Sequence, residues 1–88
     1  MILAVDVGNT RIKAAVFEEN TLLEFFVFQK ATLEKKIKNI FEKYQNISHL
    51  VVASVSDDKK KAFVSFESVV KIHFVSHNDA FPFVNCYG

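Results

Sequence analysis

Asp6, Gly8, Asn9, Thr10, Arg11 and Lys13 lie close together in the stretch "DVGNTRIK". Together they hold what a nucleotide's phosphates require. A glycine without Cβ lets backbone N–H donors approach phosphate oxygens closely. Asn9 and Thr10 add side-chain donors, and Asp6 offers carboxylate oxygen to a phosphate-bound magnesium ion. Arg11 and Lys13 can balance phosphate charge. On strand alternation they share one face with Ala15 and Phe17. An ordinary turn uses many of the same residues, since Asp, Gly, Asn and Thr all favour turns. Asp6 separates the two readings because it interrupts an apolar run two residues before the glycine. A carboxylate there is costly unless it is hydrogen-bonded, paired with a cation or open to a cleft. The phosphate reading accounts for that position. The turn reading does not.

The surrounding pattern predicts the elements that hold this stretch. Residues 2–7 read as a strand buried on both faces. Gly8-Asn9 offers positive φ for a tight hairpin, so Arg11 to Phe17 returns antiparallel. Glu18, Glu19 and Asn20 form a second turn before a third strand, Thr21 to Gln29. Leu33, Ile37, Ile40, Phe41 and Tyr44 then recur at helical spacing, with Thr32 as N-cap and Glu34 in the first turn. His49 to Val55 is a further strand, and Ser56 or Asp57 can cap a second helix. Ala62, Phe63, Phe66, Val69 and Val70 fall on one face of that helix, and Lys71 to Ser76 is a closing strand. The order β-β-β-α-β-α-β implies an α/β fold with a mixed sheet, because the later strands need helical crossovers to run parallel. Residues 1–76 form the expected lobe, and residues 77–88 an irregular tail.

Composition removes several function classes. The chain has 88 residues, half of them hydrophobic, and a net charge of +1. That size supports one small domain that buries roughly two-thirds of its unfolded surface. The near-neutral charge gives no general attraction to nucleic acid or an anionic membrane. Lys59, Lys60 and Lys61 read as a solvated helix face, as do Lys35 and Lys36. Cys86 stands alone, which excludes an internal disulfide and a zinc site of several cysteines. No stretch reaches the ~20 apolar residues of a membrane span, and the start lacks signal-peptide features. The cytoplasm is the expected address, where the Asn46-Ile47-Ser48 sequon is idle. His49, His73 and His77 are scattered and read as surface or strand-end residues. Phe25, Phe26 and Phe28 make both faces of one strand apolar, so another layer, another subunit or further chain is expected to cover them.

"DVGNTRIK" resembles the first phosphate motif of the acetate and sugar kinase/Hsp70/actin superfamily, in the D-x-G-N-T-x-x-K form of type III pantothenate kinases. The predicted element order is that of the superfamily's ribonuclease H-like half-domain. "VVASVS" is similar to the family strand ending in V-x-S-V, without the proline often found after it. "FPFVNCYG" resembles the family segment in which Pro, Asn and Tyr precede T-P-x-T-L-G-x-D-R. The resemblance spans the whole chain.

It implies ATP-dependent phosphorylation of pantothenate in coenzyme A synthesis, with Mg2+ and a monovalent cation, K+ or NH4+. Asp6 would position magnesium and the transferred phosphate. Gly8, Asn9 and Thr10 would hold phosphate oxygens, and Lys13 matches the motif's basic position. Tyr87 matches the tyrosine that lies against pantothenate, and Asn85 the asparagine two residues before it. No residue of the chain matches the catalytic base, which the G-x-D-R motif would supply beyond Gly88. The expectation is an N-terminal lobe that is silent by itself and dimeric in the full-length enzyme. Two other readings are a non-catalytic binding or dimerisation module, like a transcriptional accessory factor, and another kinase of the superfamily.

Overall fold

The computed structural model describes residues 1–8, 10–53 and 56–75. Three strands come first: β1 (Ile2–Val7), β2 (Arg11–Glu18) and β3 (Thr21–Gln29). A short 3-10 turn (Lys30–Thr32) leads into α1 (Leu33–Lys43), followed by β4 (His49–Ala53), α2 (Asp57–Val64) and β5 (Lys71–Val75). The expected alternation is therefore present. The strands form one sheet in the order β3-β2-β1-β4-β5. β1 and β2 pair antiparallel, as do β2 and β3, whereas β4 and β5 run parallel to their neighbours. Two hairpins make the first half, and helical crossovers make the second.

Register divides the sheet into two unlike faces. Leu3, Val5 and Val7 sit opposite Val16, Ala14 and Ile12. They join Leu50, Val52, α1's Leu33, Ile37 and Ile40, and α2's Phe63 in the main core. The helical spacing of Leu33, Ile37 and Ile40 thus puts one stripe of α1 onto the sheet. The ring of Phe41 lies 5.1 Å from that of Phe66, which links α1 to the turn after α2. The opposite face carries a row of small residues, Ala4, Ala15 and Ala53, flanked by Phe17, Phe25 and Val51. Phe26 and Phe28 turn toward α1 and Phe25 toward this second face, so both faces of β3 carry rings as expected.

Four local expectations change. Thr32 holds the N-cap position of α1, yet its hydroxyl donates back to the Gln29 carbonyl at 3.0 Å instead of capping an amide. Ser56 holds the N-cap of α2 without a side-chain capping bond, and its carbonyl accepts from Lys59 and Lys60. α2 ends at Val64, so Phe66, Val69 and Val70 lie in turns. Phe66 N–H bonds Phe63 C=O, and Ser65 Oγ bonds Ala62 C=O, tightening the chain out of the helix. Val69 is 68% exposed as a result. The positive φ falls at Glu19, at 57°, and not at Gly8. The ends of the predicted fourth and fifth strands, Val55 and Ser76, lie outside the described residues.

Candidate phosphate-binding site

Gly8 follows β1 and begins the loop into β2. Its N–H donates to the Arg11 carbonyl at 3.0 Å. A Cβ at this glycine would lie 2.7 Å from the same carbonyl oxygen. The glycine is required by backbone proximity, and only a residue without a side chain lets the two strands close this tightly. Thr10 and Arg11 are exposed at the mouth of the loop. Asn9 lies outside the described residues, as do Asn85 and Tyr87, together with Pro82, Cys86 and His77.

Asp6 is the one buried charged side chain among the described residues, 8% exposed. It stands in register between Lys13 on β2 and Ala53 on β4. Alternation puts Asp6, Arg11 and Lys13 on the face opposite the helices, because Leu3, Val5 and Val7 occupy the helix-covered face. Both Asp6 and Lys13 take part in polar or electrostatic interactions. No buried side-chain nitrogen or oxygen among the described residues lacks a hydrogen-bond partner. The costly burial of a carboxylate is therefore compensated within the fold. The structure brings Asp6, Gly8, Thr10 and Lys13 to one end of the sheet.

That same end carries a feature the linear sequence hides. Gln29 pairs with Arg11, so the 3-10 turn and the start of α1 begin beside the loop. A groove of about 470 Å³ lies there, lined by Lys30, Leu33, Glu34, Lys35, Lys59 and Ala62. Lys35 and Lys59 read as solvated from the sequence alone, and only the meeting of α1 and α2 brings them to one groove. His49 begins β4 and His73 is exposed on β5, the strand-end and surface positions expected of them. His49 and His73 stack with ring centroids 5.7 Å apart, because β4 and β5 pair in parallel. Among the described residues no three His, Cys, Asp or Glu side chains gather as a metal cage.

The architecture, a five-stranded mixed sheet with helices returning between parallel strands, is consistent with a ribonuclease H-like half-domain. A family model for type III pantothenate kinases matches residues 2–88. The chain is 61% identical over 87 residues to a type III pantothenate kinase of Flavobacterium johnsoniae. It is 46% identical over 87 residues to that of Flavobacterium psychrophilum, and 34% identical over 90 residues to that of Christiangramia forsetii. Each match covers 99% of this chain and 36% of the relative, so the chain spans about a third of the length of these curated relatives. It belongs to the type III pantothenate kinase family.

Proposed function

We propose that this chain supplies the phosphate-side contacts of an enzyme that transfers a phosphoryl group from ATP to pantothenate. Asp6 carries the reading. A single buried carboxylate at the end of a central strand, next to a glycine that permits close backbone approach, suits a phosphate-bound cation. Magnesium takes hard oxygen ligands and commonly keeps waters and substrate phosphates alongside one or two carboxylates. That donor chemistry fits Asp6 as the chain's contribution to Mg2+. Gly8, Asn9 and Thr10 face phosphate oxygens in this reading, and Lys13, opposite Asp6, balances their charge. Phosphoryl transfer relies mainly on positioning and charge stabilisation, which are the tasks these residues can perform.

Asn85 and Tyr87 are assigned to pantothenate. No residue of this chain is assigned the general base. The family resemblance adds a monovalent cation, a cytoplasmic setting and a homodimeric enzyme to the same proposal. No helix of the described residues is long and apolar enough to cross a membrane.

The test is an assay of ATP-dependent phosphopantothenate formation by the protein expressed from the reading frame that carries this chain. Asp6→Asn keeps the side chain's size and removes its charge. It is expected to lower kcat/KM by about 100-fold or more, the scale of losing one transition-state charge contact. Equal activity in the two proteins would remove the assignment.

A further inference from the structure

We propose that the groove between α1 and α2 binds a small-molecule phosphomonoester, held as its dianion by Lys30, Lys35 and Lys59. The inference goes beyond the phosphoryl-transfer reading and does not rest on it.

Three other lysines are engaged within the fold. Lys43 donates to Glu24, Lys60 lies 5.4 Å from the Phe74 ring centre, and Lys13 takes part in polar or electrostatic interactions. Lys30, Lys35 and Lys59 make no ion pair or side-chain hydrogen bond among the described residues. Yet all three line one groove, brought there from two helix starts that are distant in the sequence. Lys30 and Lys59 are half-buried, so salt and water screen them less than fully exposed ammonium groups.

The balance of charge selects the ligand. Glu34 is the one acidic residue lining the groove, and it forms an ion pair with none of the three lysines. Three ammonium groups against a single carboxylate leave a surplus of two positive charges. A phosphomonoester carries about −1.5 to −2 charge at pH 7 and has three strong acceptor oxygens. A monoanion such as a carboxylate leaves half of that surplus unmatched. The groove has a volume of about 470 Å³, within the roughly 300–1,000 Å³ of small-molecule sites. Leu33 and Ala62 line it beside the ammonium groups and give the organic part of the ester an apolar wall.

Place in the fold agrees with this. α1 follows the carboxyl end of β3 and α2 that of β4. Open α/β sheets take ligands outside the carboxyl ends of their strands. Asp6 and Lys13 lie on the opposite face of the same sheet. The groove therefore adds an anion site on the helix-covered side.

Isothermal titration of phenyl phosphate into the protein expressed from the reading frame that carries this chain tests the inference. Lys30→Gln and Lys59→Gln are each expected to weaken binding about 3–10-fold, the scale of losing one charged contact. Glu34→Gln is expected to tighten it about 2–5-fold, because the opposing carboxylate is gone. Asp6→Asn leaves this binding in place, and inorganic phosphate binds more weakly than phenyl phosphate. Affinity rises as pH passes through about 6, where the phosphate takes its second charge. Circular dichroism checks that each variant is folded. Four results overturn the inference: no binding at millimolar phenyl phosphate, equal affinity for inorganic phosphate, affinity unchanged by Lys30→Gln and Lys59→Gln together, or binding abolished by Asp6→Asn. If a lysine variant fails to fold, unchanged affinity in Glu34→Gln overturns it equally.

Discussion

Gly8 sits where the hairpin leaves no space for a side chain. Its φ is not positive, and Glu19 bears the left-handed backbone of the neighbouring turn. The constraint at Gly8 is the Arg11 carbonyl, 2.7 Å from where a Cβ would stand. Gly8→Ala must push β1 and β2 apart at the loop, a form of overpacking that costs about 1–3 kcal/mol. Chemical denaturation is expected to show a lower midpoint with an unchanged slope. The pattern "DVGNTRIK" is enough to mark this glycine as special. Its spacing cannot say whether φ or close contact makes it so, because both demands select glycine. Asp6 is similar. Its position in an apolar run announces a compensated carboxylate, whereas the identity of its strand neighbours, Lys13 and Ala53, comes from register.

Glu24 joins two elements that lie far apart in the sequence. Its Oε1 accepts from Lys43 Nζ at 2.6 Å and from the Tyr44 hydroxyl at 2.5 Å, tying β3 to the C-terminal end of α1. The Lys43 hydrogen bond, followed by that from Tyr44, holds the Glu24 carboxyl below its ordinary value of 4.5. A lowered carboxyl pKa stabilises the fold above the unfolded-state value, and that stabilisation is lost as pH falls through the folded value. Lys43 and Tyr44 are both raised, chiefly by the same carboxylate. Their share is present below their ordinary values and lost at alkaline pH. Glu24→Gln is therefore expected to lower stability at neutral pH and to flatten the loss between pH 4.5 and more acid conditions. Urea midpoints measured against pH check this. The pair is half-exposed, so the effect should weaken in high salt.

For the molecule as a whole, one layer of apolar side chains between the sheet and its two helices carries the fold. Phe63 is fully buried and is α2's largest contribution to that layer. Phe63→Ala is expected to cost about 3–5 kcal/mol. Small domains have only about 5–15 kcal/mol in total, so little would remain. Thermal unfolding followed by circular dichroism should show a broad transition at much lower temperature, or none. The opposite face contributes less, with alanines at its centre and half-buried rings around them.

What this chain's sequence determined by itself is largely local. Apolar alternation, turn residues and one 3.6-residue stripe set β1, β2, β3 and α1 close to their observed limits. The α2 expectation ran too far because Phe66 and Val69 keep helical spacing while local hydrogen bonds pull the chain into turns. Tertiary structure alone decided the order of the described strands in the sheet, how His49 met His73, and why Lys30, Lys35 and Lys59 line one groove. Periodicity reports which side of an element avoids water, since burial acts on each residue where it stands. Which element then covers that side depends on pairings between distant segments, and no short window of sequence contains both partners.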